Sequence, residues 1–377
     1  MSGDASLHRR PASLDWLRAV REPQVALDWP LAEWQRVVRL ARRLRLLARI
    51  AESVSAAGLI DRVPPVARRH LIAELRLSRW RTAATVWTLK RVAAMLDDPS
   101  YPLVLLKGAA YIGQDLPVAS GRLPSDLDIL VPRANLAQVQ SQLTACGWSE
   151  PELDAHDLRY YHEWSHEVPP MTHPLLAVEL DLHHNILPPL ARTHVDADAL
   201  LQRLQPSKWA PWQVLDPLDQ VLHSAAHLFL DSEARDRIRD IVDLDGLLRH
   251  FGTRPGFWDR LPERARELGL AEPLAMACHF TVRWLGTPVP STALAAVVSS
   301  GPSAWRRAWL YPLWERILMP TEPDDPPPRM QSLAAGIQLA RYHRQRMPVR
   351  LLVPHLWHKL RAGQRMPGDP SAQAAPE

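Results

Sequence analysis

The sequence predicts an α+β protein, a small α/β unit at 100–190 set between an N-terminal and a C-terminal helical region. Three observations carry this. Residues 13 to about 100 show apolar positions at helical steps. Short apolar runs ending in glycine or proline follow, as strands do. Amphipathic helical texture returns from about 214.

Taken in order, "WQRVVRLARRLRLLARIAESVSAAGL" places Val37, Leu40, Leu44, Leu47 and Ile50 three and four apart, which predicts one helix ending near Gly58. Its arginines (36, 39, 42, 43, 45 and 49) cover the other faces and read as a solvated surface; a nucleic-acid face is the weaker alternative. A second long helix is expected over about 67–97. "YPLVLLKG" (101–108) reads as a buried strand, and "DLDILVP" (126–132) as an alternating strand stopped by proline. "RANLAQVQSQLTACGW" puts Leu136, Val139, Leu143 and Cys146 on one helical face, with Gly147 as a left-handed stop. "LLAVELDLHHNIL" (175–187) is a further strand. The division that follows is 1–99 helical, 100–190 α/β core, 191–318 helical, 319–330 proline-rich acidic linker, 331–364 helical and 365–377 a disordered tail.

Composition narrows the function classes. Apolar residues make up 46 % of the 377, enough for a sizeable core. Cys146 and Cys278 form no C-x-x-C pair, which speaks against a disulfide framework and a thiolate zinc site and fits a reducing, cytoplasmic compartment. No targeting segment or membrane span is expected. Net charge is +4, and only four of the 45 basic residues are lysine, Lys107 among them. Such arginine bias is weak support for a nucleic-acid partner.

Two motifs compete for the chemistry. In "SDLDILV", Asp126 and Asp128 sit two apart on a strand and so share a face. Convergent carboxylates suit Mg²⁺ or Mn²⁺, with a third acid supplied by a neighbouring strand. "VELDLHH" offers Glu179 and Asp181 with the same spacing. The bland alternative is a pair of exposed edge-strand aspartates, although aspartate is a poor strand former unless something binds it. The second motif is His162-Glu163-Trp164-Ser165-His166, which matches the H-E-x-x-H zinc-protease pattern. That pattern needs a helix, and Pro169-Pro170 follow at once. The expectation is a loop or strand near the active site, where His162 or His166 touches substrate. His183, His184, His223 and His227 read as structural histidines. "RIRDIVDLDGLL" (237–248) reads either as a wall of the cleft or as a salt-bridged surface face.

The stretch "LVLLKGAAY…SGRLPSDLDILVP…LTACGW…AVELDLHHNIL" resembles the uncharacterised nucleotidyltransferase family of the DNA polymerase β-like superfamily. The resemblance covers about 100–190, with helical flanks also similar. It implies a small mixed-sheet nucleotidyltransferase core and a metal-dependent transfer of NMP from an NTP (ATP among the candidates) to an unknown hydroxyl acceptor, with release of pyrophosphate. It implies Asp126, Asp128 and Asp181 as catalytic metal ligands, with Glu179 in reserve. Gly108 would lie near the triphosphate, and Lys107 and Arg122 are candidate phosphate cations. Two departures stand out: Gly108 is followed by Ala109 rather than Ser or Gly, and the spacer from Ala109 to Asp126 is long. A non-catalytic nucleotide-binding module is therefore the alternative. A D-x-D glycosyltransferase is disfavoured by the hundred helical residues ahead of the motif.

Overall fold

A computed structural model describes residues 11–97, 99–153, 161, 165–189, 191–232 and 234–346. The N-terminal region is helical as its periodicity requires, with one break. Helix α1 runs Leu31–Arg43 and α2 runs Leu47–Ala56, separated by Leu44–Leu46. Arg45, in the break, takes a left-handed backbone with φ of 55°, a conformation that non-glycine residues adopt at a cost of about 1 kcal/mol. The apolar spacing continues across it, because Leu40, Leu44, Leu47 and Ile50 are all buried. The long α3, Pro65–Leu96, begins on a proline whose missing N–H costs nothing in a first turn.

The sheet follows. Strand β1 (Leu103–Leu105) is wholly buried and leads into α4 (Lys107–Gly113). Strand β2 spans Asp126–Leu130, and α5, Leu136–Ala145, ends before Gly147, whose φ of 98° is the left-handed stop its position predicts. Strands β3 (Met171–His173) and β4 (Leu176–His183) come next, then α6 (Ala197–Leu201), β5 (Gln205–Pro206) and β6 (Trp212–Val214). The sheet order is β3-β4-β2-β1-β6-β5. β2 is parallel to β4 and antiparallel to β1, and β6 is parallel to β1. The sheet is therefore mixed, and β5 and β6 extend it past residue 190. Its edges are strands of three and two residues, short enough to discourage pairing with another chain.

Helices α7 (Pro217–Phe229), α8 (Ile238–Phe251), α9 (Phe257–Glu267) and α10 (Ala271–Leu285) pack on one another beyond β6, followed by α11 (Ser291–Ser300), α12 (Ala304–Leu318) and α13 (Arg329–Arg346). Asp216 caps α7 by accepting from the Leu218 N–H, with Pro217 in the first turn. The acidic stretch 319–328 lies back on α1: Glu322 pairs with Arg36 at 2.7 Å, and Asp324 with Arg39. The anticipated tail at 365–377 and most of the helical segment after 346 lie outside the described residues. One apolar cluster runs from Leu14 through the sheet to Ala334. Among the described residues no helix is long and apolar enough to cross a membrane.

Candidate active site

Alternation along the strands builds the site. Leu127 and Ile129 of β2 point into the core, so Asp126 and Asp128 share the other face. In β4, Val178, Leu180 and Leu182 face one way, and Glu179, Asp181 and His183 the other. The parallel register sets Asp126 beside Glu179, Asp128 beside Asp181, and Leu130 beside His183. Ligand atoms of Asp128, Asp181 and His183 all lie within 4.8 Å of one another. Asp126 is outside that trio, half-buried, and accepts at 3.2 Å from the Ser125 hydroxyl.

Asp128 is the best-connected acid. Lys107 Nζ donates to its Oδ1 at 2.6 Å, and His183 Nε2 lies 3.0 Å from the same oxygen. Lys107 opens α4 with a left-handed φ of 43°, and the backbone N–H of Leu106 bonds to the Asp128 carbonyl at 3.0 Å, so the end of β1 is fixed to β2 beside the acids. Burial alone would raise the Asp128 carboxyl; the Lys107 ammonium and the His183 bond outweigh it and hold the carboxyl well below its usual range. Among the described residues no cation is hydrogen-bonded to Asp181. Burial first, and the Asp128 charge next, push it up to about 8. Glu179 is also raised, by burial and by Asp126. His183 is buried. Burial disfavours its charged form, but the Asp128 bond and the charge of Glu167 raise it above the ordinary histidine value. Its Nδ1 lies 3.2 Å from Glu167 Oε2, without hydrogen-bond alignment.

Arg122 sits behind Gly108. Its Nε donates to Asp243 Oδ2 at 3.0 Å, and Arg49 pairs with the other oxygen of the same carboxylate. Ser78 of α3 donates to the Arg122 carbonyl at 3.2 Å. A side chain on Gly108 would put its Cβ 2.0 Å from Arg122 Nη1, so glycine is what allows the guanidinium to lie there. The segment 237–248 lies largely in α8 and is not a salt-bridged surface face: Asp240, Asp243 and Asp245 are buried and paired, Asp245 with Arg21 at 2.5 Å and Arg249 at 2.7 Å. Arg49, expected on a solvated face, is buried with Asp243 as its partner.

His162 and Glu163 lie outside the described residues. His166 is not helical; it occupies a bend before an isolated bridge that pairs Glu167 with His183. It therefore does not present the i,i+4 helical face that the zinc-protease pattern needs. His166, Glu167 and His183 instead form a second group whose ligand atoms lie within 4.8 Å of one another. Sequence reasoning did not single out Glu167 and took His183 as structural. The alternation that located Asp181 extends to His183 two residues on, so that signal was present; for Glu167, placed by a bridge across a loop, there was none.

A family model described as an uncharacterised nucleotidyltransferase matches residues 30–286, from the start of α1 to the end of α10. No curated protein and no solved structure matches the chain.

Proposed function

The chain belongs to the uncharacterised nucleotidyltransferase family, and from that premise we propose a Mg²⁺- or Mn²⁺-dependent transfer of NMP from an NTP to a hydroxyl acceptor, at the face shared by β2 and β4. The supporting observation is the in-register pairing of Asp128 with Asp181 beside Lys107. The donor set fits a hard divalent cation. Its oxygens come from Asp128, Asp181 and Asp126, with Glu179 in reserve, and a carboxyl pushed up to about 8 by burial and then by a neighbouring carboxylate suits a site that takes up positive charge. Lys107 and His183 both use Oδ1 of Asp128, so neither of those bonds occupies the second carboxylate oxygen. When bound, the cation would offset the negative charge gathering on the phosphates and lower the cost of ionising the acceptor hydroxyl.

The residues of the chain do the rest. Lys107 and Arg122 bring positive charge to the phosphate side, and Gly108 leaves room for Arg122. Asp181 takes the acceptor proton or ligates the cation. The acceptor oxygen bonds to the α-phosphorus, the bond from that phosphorus to the bridging oxygen breaks, and pyrophosphate leaves with the electron pair.

A second reading, a binding module without turnover, draws on one observation: Asp128 is already engaged by Lys107 and His183. Pyrophosphate release separates the two. In the transferase, Mg²⁺ with the preferred NTP raises the melting temperature and pyrophosphate appears once an acceptor is supplied. Asp126→Asn lowers that rate by at least about 100-fold while the ligand-free melt is unchanged. Stabilisation by NTP with no pyrophosphate from any acceptor class would establish the module instead. Asp128→Asn is the poorer probe, because it also strips the buried Lys107 and His183 of their counter-charge.

A further inference from the structure

Three arginines, two on helices and one in the α1–α2 break, gather near Asp126, and the transferase reading gives them no role: Arg45 is bonded through Ser125 to Asp126, and the charges of Arg239 and Arg81 act on Arg45. Arg81 and Arg239 each lie one helical turn from a residue that holds Arg122, and Arg45 lies in the break ahead of Arg49, which shares the counter-ion of Arg122. Arg45 precedes Arg49 by four residues, Arg239 precedes Asp243 by four, and Arg81 follows Ser78 by three. Arg45 reaches the site directly: its Nη1 donates to Ser125 Oγ at 3.2 Å, and Ser125 Oγ donates to Asp126. To do so it holds the left-handed backbone of the α1–α2 break, a strain that glycine would avoid. Arg81 lies 5.5 Å over the ring of Trp80, a contact that holds a guanidinium in place but leaves its charge uncancelled. Among the described residues the carboxylate in reach of Arg239 is that of its sequence neighbour Asp240, at 3.4 Å, which the stronger Arg237 pair already engages. Among the described residues no carboxylate lies within ion-pair distance of Arg45 or Arg81. The cations also crowd one another. After partial enclosure, the charges of Arg239, Arg81 and Arg122 lower the Arg45 pKa, with Asp126 acting against them. Like charges held together in this way lose energy unless an anion joins them.

The opening of α4 gives a phosphate little else. Lys107 is drawn onto Asp128, and Gly108, Ala109 and Ala110 carry no hydroxyl. We propose that Arg45, Arg81 and Arg239 form the cradle for the terminal phosphates of the nucleotide, beside Asp126. This rests on the transferase reading for its ligand, and it makes the N-terminal helices and α8 part of the substrate site. Guanidiniums from separate elements suit a chain of phosphates, since each can take a different phosphoryl group in a bidentate manner. The cradle would favour triphosphate over monophosphate and weaken as salt rises.

Inorganic tripolyphosphate, titrated calorimetrically into the full chain with EDTA and then with Mg²⁺, tests this. Arg45→Gln, Arg81→Gln and Arg239→Gln should each lower its affinity about tenfold in both buffers, and Arg260→Gln on α9 should not. Arg45→Gly gives the sharper result. Glycine suits a φ of 55°, so the melting temperature should hold or rise while tripolyphosphate binding falls, a split that a merely structural arginine would not produce. Wild-type affinity in all three glutamine variants, with Asp126→Asn still blocking turnover, overturns the cradle and leaves the transferase standing. Loss of binding in those variants, with no pyrophosphate from the wild type, upholds the cradle and removes the transferase.

Discussion

Gly108 is a residue whose absent side chain has a measurable consequence. The Cβ of an alanine there would meet Arg122 Nη1 at 2.0 Å and Cζ at 2.9 Å. A flexible arginine end would ordinarily swing aside. This one is buried, its Nε is bound to Asp243 and its own carbonyl is held by Ser78. Gly108→Ala should therefore destabilise the fold by about 1–3 kcal/mol, the usual range for overpacking, seen as a lower denaturant midpoint. Paired with Arg122→Ala, the two losses should fall well short of additive, because removing the guanidinium removes the clash. Additive losses would mean the contact is not the cause. The sequence marked Gly108 only through the resemblance, as a residue near the triphosphate, and its packing against Arg122 was not legible: Asp243, which holds Arg122, lies 121 residues further along the chain.

At the scale of elements, period made some features readable and length hid others. The Asp-x-Asp alternation of β2 and the matching pattern of β4 placed four acids on one face. The three-residue and two-residue β6 and β5 are too short to show a period, so the sheet looked smaller than it is. The break at Arg45 was masked because buried leucines keep their spacing across it. The C-terminal helices carry a prediction of their own. His279 of α10 stacks on Tyr311 of α12 with ring centroids 4.2 Å apart. Burial, and then the Arg283 charge, lower its pKa to about 4. A histidine depressed in the fold takes up its proton more readily when unfolded, so its share of stability is complete above about 6.5 and is lost as pH falls toward 4. Between pH 7 and 5 this group alone should cost about 2 kcal/mol, a drop of several degrees in melting temperature. His279→Phe keeps the ring and should blunt that drop. His223 of α7, lowered to about 3 by burial and Lys107, should leave a residual slope of similar size in that variant. An unchanged acid slope in His279→Phe would show that the ring is not buried in its neutral form.

For the whole molecule, the lines drawn at 99 and 190 follow composition, whereas the forces cross them. β1 lies between β2 and β6, so its second partner comes from beyond 190. α3, from before 100, packs against β4 and α5. Asp243 joins Arg49 of the N-terminal helices to Arg122 of the α/β unit, making one buried carboxylate the link among three regions. A sequence read by local texture reports where periodicity changes, and that need not be where contacts thin out. A fragment of residues 100–190 would leave one side of β1 unpaired, strip α3 from β4 and α5, and remove both the Asp243 counter-charge of Arg122 and the elements that bury it. Against a typical domain stability of about 5–15 kcal/mol, those losses together exceed what so short a unit can hold. Circular dichroism of the purified 100–190 fragment should show no cooperative melt, while 11–346 should melt in one transition close to that of the full chain. A sharp transition in the short fragment would show that the α/β unit is an independent domain and that the ion pairs binding it to the helices are ornamental to its folding.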